Sequence, residues 1–130
     1  MDPVVHFEMP AEDKQRMAKF YTDVFDWKTR ILGPEMGDYV LAQTAETDEN
    51  RMLKEPGRIN GGFFPKRADS PMQHPSVSIA VKDIKASAQK VKDGGGTVHG
   101  EPVMIPGIGW YVAFTDTEGN VNSMLQPTDM

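Results

Sequence analysis

Apolar and polar residues alternate from Pro3 to Met9. Val5, Phe7 and Met9 interleave with Val4, His6 and Glu8, the period of a strand with two unlike faces. Pro10 is expected to end that strand. From Glu12 to Phe25 the period lengthens: Met17, Phe20, Tyr21 and Val24 recur at helical spacing and predict one apolar stripe. Asp13 stands near its start, where a carboxylate suits both the cap and the helix dipole. Trp27 to Leu32 and Asp38 to Thr44 read as strands, separated by the Gly33-Pro34 turn. Ala45 to Gly57 is polar and mixed in charge and reads as a loop, with Met52 and Leu53 tucked inward. Arg58 to Phe64 reads as a fourth strand, weakened by Gly61 and Gly62.

The pattern then restarts. Pro75 to Val81 alternates Val77, Ile79 and Val81 with Ser76, Ser78 and Ala80. Asp83 to Lys92 predicts a helix striped by Ile84, Ala88 and Val91, and Gly94 to Gly96 ends it. Thr97 to Ile105, Gly109 to Thr115 and Val121 to Gln126 read as three strands, the last two joined by the turn Asp116 to Asn120. Both halves run strand, helix, three strands. Asp13 and Asp83 open the two helices at corresponding places, and the same offset sets His6 opposite Ser76. We read this as an internal repeat of low sequence identity.

Composition narrows the classes. The 130 residues suit one domain. Net charge is −5, so there is no basic excess to replace phosphate counterions, which argues against nucleic acid and against an anionic membrane. No cysteine is present, so thiolate chemistry and Cys-ligated metals are excluded. No apolar run approaches the ~20 residues of a membrane span, and no secretory signal is visible. The expectation is a cytoplasmic protein. Neither a phosphate-binding loop nor a nucleophile elbow occurs.

Three motifs carry a resemblance. The first is Val5-His6-Phe7-Glu8, Asp13, Phe20-Tyr21 and Val24-Phe25-Asp26-Trp27, with Asp26 where a glycine is usual. The second is Val77 to Asp83 with the helix and triple glycine that follow. The third is Phe114 to Asn120, with Thr117 where proline is usual. Together they resemble the vicinal oxygen chelate superfamily of glyoxalase I, bleomycin-resistance proteins and extradiol dioxygenases. The resemblance implies an α+β fold of two βαβββ modules forming a curved, cleft-enclosing mixed sheet, and a homodimer. On that plan residues 1–130 are a single domain: module one 1–65, linker 66–73, module two 74–130.

The resemblance also implies four metal-ligand positions. The first falls at His6, a usable donor. The second falls at Gly61 or Gly62, the third at Ser76 and the fourth at Ser123, all poor ligands. A set of His6, Glu8 and His74 is the other arrangement that strand alternation allows. One good donor in four favours a metal-free member, so no resident cofactor is expected, and a divalent ion at His6 is the minor reading. The catalytic residues are left unassigned. The expected ligand-contacting residues are His6, Glu8, Tyr39, Phe63, Ser76, Trp110 and Ser123. Trp110 is chosen over Tyr111 as the inward aromatic of its strand, and Met52, Met72 and Met104 are flexible candidates for a pocket wall. Phe20, Tyr21, Phe25 and Trp27 are assigned to the core. The expected function is binding of a small organic molecule in the cleft without the usual metal. The rival is a metal-dependent lyase, isomerase or dioxygenase resembling lactoylglutathione lyase, and a third reading is an assembly subunit that has lost its ligand.

Overall fold

The computed structural model describes residues 1–50 and 52–128. Arg51, part of the polar loop read from the sequence, lies outside the described residues. The fold is α+β, and its element order is βαβββ twice. Module one holds β1 (Val4–Ala11), α1 (Lys14–Phe25), β2 (Lys28–Ile31), a 3-10 turn (Pro34–Met36), β3 (Val40–Gln43) and β4 (Asn60–Pro65). Module two holds β5 (Ser76–Ala80), α2 (Ile84–Asp93), β6 (Thr97–Ile105), β7 (Gly109–Thr115) and β8 (Val121–Pro127). The chain divides into two compact units, one of His6–Pro75 and one of Met1–Val5 with Ser76 onward.

Each unit is a mixed sheet with one helix. In the first, the strand order is β2-β3-β4-β1, with β1 and β4 parallel and the other pairs antiparallel. In the second it is β5-β8-β7-β6, with β5 and β8 parallel. The parallel pair in each brings the module's first strand beside its last, which the intervening helix makes possible.

Both helices start as the sequence indicates. Asp13 accepts from the Arg16 backbone N–H at 3.0 Å, and Asp83 from Ala86 N–H at 3.1 Å. Asp26 ends α1 with φ of 60°, a left-handed conformation that favours glycine and that aspartate tolerates. β1 does not stop at Pro10 but runs to Ala11. Lys66 N–H donates to the Ala11 carbonyl, so odd-numbered residues of β1 bond to β4 and the missing N–H of Pro10 falls on the opposite edge.

Helix stripes meet sheet faces through period-2 alternation. In the first unit Ala11, Ala18, Val40, Ala42 and Phe63 form a buried cluster, with Phe7, Met9, Met17, Tyr21 and Trp27 packed against it. Tyr21 stacks on Trp27 with ring centres 4.5 Å apart. Phe20 and Phe25, assigned to the core from the sequence, are instead exposed. In the second unit Val81, Ile84, Ala88, Val112, Phe114 and Met124 form the cluster. Met52 and Leu53 are exposed, and Thr47 and Leu53 form an isolated bridge among the described residues of the connection from β3 to β4. No helix among the described residues is long and apolar enough to cross a membrane.

Two substitutions separate capping from packing. Asp83→Ala should lower stability by about 1 kcal/mol, and Met124→Ala by about 2–5 kcal/mol. Urea unfolding with an unchanged slope checks both.

Candidate functional site

The face of β1 opposite α1 carries His6 and Glu8. Strand alternation puts them there, because Phe7, Met9 and Ala11 point to the helix. Glu8 is 7% exposed, an unusual place for a carboxylate without donors. Tyr39, just before β3, supplies one: its hydroxyl donates to Glu8 Oε2 at 3.3 Å and lies 3.2 Å from His6 Nε2. Burial holds the His6 imidazole below its ordinary pKa, favouring the neutral ring.

Gly62 makes room for this trio. It is the parallel partner of Glu8, and a Cβ built on it would sit 2.1 Å from the Tyr39 hydroxyl oxygen. Its neighbour Gly61 does the same service on the other face, where a Cβ would fall 2.4 Å from the Phe7 ring. The two glycines, read from the sequence as a weakness in the strand, are close approaches of aromatic rings to a backbone.

In the second unit, the face of β5 and β8 opposite α2 carries buried hydroxyls. Ser76, Ser78 and Ser123 are all buried, and Ser78 is the parallel partner of Ser123. The Ser76 hydroxyl has no hydrogen-bond partner among the described residues. On β7, Ala113 pairs with Ser123 and Tyr111 with Leu125, so Tyr111 shares this face.

Of the seven residues expected to contact ligand, the structure joins His6, Glu8 and Tyr39 in one hydrogen-bonded group. It sets Ser76 and Ser123 together on the serine face. Two expectations are corrected. Phe63 is 1% exposed and belongs to the core under α1, because its register with Met9 and Val40 puts it on the helix side. Trp110 alternates with Tyr111 and lies on the face of Val112 and Phe114, 39% exposed; Tyr111 takes the place assigned to it. Sequence reasoning had the alternation but not its phase, which the Ala113–Ser123 pairing fixes. Of the three pocket methionines, Met72 is buried and Met52 and Met104 are exposed.

The donor set does not fit a divalent metal. Among the described residues no group of three His, Asp or Glu side chains is placed to hold one, so the set of His6, Glu8 and His74 is not assembled. At Gly61 and Gly62, between which the resemblance leaves the second ligand position, a side chain would meet the Phe7 ring and the Tyr39 ring respectively. Two surface concavities of the first unit, about 320 and 470 Å³, lie elsewhere. One is edged by the solvated ion pairs Lys54–Glu46 and Arg58–Glu55, the other by Phe20, Arg16 and Lys66, and neither includes His6, Tyr39 or Glu8.

Two predictions concern the trio. Gly62→Ala should cost about 1–3 kcal/mol by overpacking. The same change in a Tyr39→Ala background should cost much less, a coupling that a double-mutant cycle of urea midpoints reads directly. The second concerns pH. The unfolded chain protonates His6 at the ordinary value and the folded chain only at a lower one. Its contribution to stability is therefore complete above about pH 6.5 and is lost as pH falls below it, until the folded imidazole also protonates. His6→Gln should flatten that part of the stability–pH curve.

Comparison with known proteins agrees with this architecture. The family model of the Glyoxalase/Bleomycin resistance protein/Dioxygenase superfamily matches residues 4–124. A glyoxylase-like domain-containing protein of Didymella fabae is 31% identical over 120 residues, covering 90% of this chain and 88% of that one. CFP32 of Mycobacterium tuberculosis is 34% identical over 77 residues, 59% of this chain and 30% of that protein's length. Among solved structures, a methylmalonyl-CoA epimerase of Streptomyces coelicolor superposes with a TM-score of 0.67 at 17% identity, covering 98% of this chain and 96% of that one. Epimerase neighbours at this identity share the fold. With the family model spanning both βαβββ modules, the chain belongs to the glyoxalase/bleomycin resistance protein/dioxygenase superfamily.

Proposed function

We propose that this chain binds a small organic molecule at the face carrying His6, Tyr39 and Glu8, without the divalent metal that many members of its superfamily use. The observation that supports this reading is the hydrogen-bonded trio itself. A buried carboxylate and a neutral imidazole are both joined to one phenol hydroxyl by hydrogen bonds. A few polar groups held in one arrangement are how small-molecule sites set ligand orientation. Ser76 and Ser123, on the serine face of the second unit, are proposed separately as ligand-contacting residues of that unit. We place the protein in the cytoplasm as a homodimer, with neither nucleic acid nor membrane as partner.

A second reading keeps a metal-dependent lyase, isomerase or dioxygenase, related to lactoylglutathione lyase. The specific observation on its side is that His6 and Glu8, two donor-type side chains, share one strand face.

Elemental analysis separates the two. Protein incubated with nickel, zinc, iron and manganese and then desalted should retain none of them stoichiometrically, and His6→Ala should behave alike. One equivalent kept by the wild type and lost in His6→Ala would establish the second reading instead. A thermal-shift screen of small organic molecules then finds the ligand. A compound at a hundred times its Kd should add about 2.7 kcal/mol of stability, and His6→Ala should abolish the shift.

A further inference from the structure

The trio has a direction that proton counting reveals. A tyrosine hydroxyl holds one proton and can donate once, while an ionised carboxylate only accepts. The Tyr39 hydroxyl donates its proton to Glu8 Oε2, 3.3 Å away. What the hydroxyl then offers His6 Nε2, at 3.2 Å, is a lone pair, and a hydrogen bond there requires the proton on Nε2. In a neutral imidazole, Nδ1 is then a bare lone pair. His6 is only partly buried, and no described residue hydrogen-bonds its Nδ1.

We propose that His6 presents Nδ1 as a hydrogen-bond acceptor, and that the small molecule taken by this site engages it through a hydroxyl or N–H donor. Glu8 and Tyr39 are positioning residues: they fix the imidazole tautomer and leave its other nitrogen for the ligand. The carboxylate at the far end of the chain polarises the phenol and, through it, the imidazole, which strengthens Nδ1 as an acceptor. A ligand without a donor would bury that nitrogen unpaired, so the site selects against it. This inference rests on the metal-free ligand-binding reading, because a metal at His6 would itself take a ring nitrogen.

The test uses the full chain, stripped of metal and labelled with ¹⁵N, at mildly alkaline pH. Two-bond ¹H–¹⁵N spectra distinguish a protonated, pyrrole-like ring nitrogen from a bare, pyridine-like one, and His6→Gln identifies the resonances among the three histidines. The expected wild-type pattern is pyrrole-like Nε2 and pyridine-like Nδ1, in a single tautomer. Tyr39→Phe keeps the ring and removes the oxygen, and it should give a mixture of tautomers with the fold retained. The reversed wild-type pattern would overturn the proposal, since it would mean a protonated Glu8 with the chain running the other way. A tautomer unchanged in Tyr39→Phe would overturn the positioning role.

Phenol and its methyl ether then form a matched pair of probes that differ in the donor. Phenol should shift the Nδ1 resonance and bind at least about fivefold more tightly than the ether. No Nδ1 shift with phenol up to its solubility, or equal responses to both, would overturn the ligand assignment. Metal retention is read separately, by elemental analysis. A metal-free wild type with the wrong tautomer thus sinks this inference and leaves the proposed function standing.

Discussion

Burial of one carboxylate organises module one. Glu8 faces away from the helix yet is almost wholly removed from water, and a charge in that position needs donors. Tyr39 reaches it from the start of β3. For the phenol to lie across β4, the residue beneath must lack a side chain, and Gly62 does. The same phenol lies 3.2 Å from His6 Nε2, and burial lowers the pKa of that imidazole. Each step follows from hydrogen-bond satisfaction or from volume.

The two modules share a plan and differ in what they place at equivalent positions. Both pair first and last strands in parallel and both open their helix with an aspartate cap. Where module one carries His6 and Glu8, module two carries Ser76 and Ser78, small hydroxyls with little capacity as metal ligands. The Ser76 hydroxyl is buried without a partner among the described residues, a cost that core packing around Ile84 and Met124 has to offset. The two modules thus share element order, parallel pairing and aspartate caps while differing in the polar residues on the sheet face opposite the helix.

Most of the fold was legible from local signals. β6 and β7 fall where alternation puts them, and both caps and the Asp116 turn follow from residue type. In that turn the Asp116 carboxylate accepts from Asn120 and Glu118, which also lowers its pKa. The site was legible in part. His6 and Glu8 share a face by periodicity alone, but their link to Tyr39 spans more than thirty residues and depends on the β1–β4 and β3–β4 registers. Trp110 and Phe63 were misread for one reason. Alternation says that neighbours face opposite ways, and only pairing with a second strand says which way is which. The double glycine in β4 was the available signal for Tyr39, since a strand interior gives up two side chains when rings must lie against it.

The interlock of Tyr39 with Gly62 also bears on how this sequence can change by descent. A coding change that puts a side chain at position 62 strikes the phenol, and one that removes the phenol takes away its hydrogen bond to the buried Glu8 carboxylate. Each change alone is disfavoured, while the two together restore space for a donor beside His6 and Glu8. The pair is interlocked: a chain with tyrosine over glycine gains a side chain at position 62 only through a step that either creates that clash or gives up the phenol.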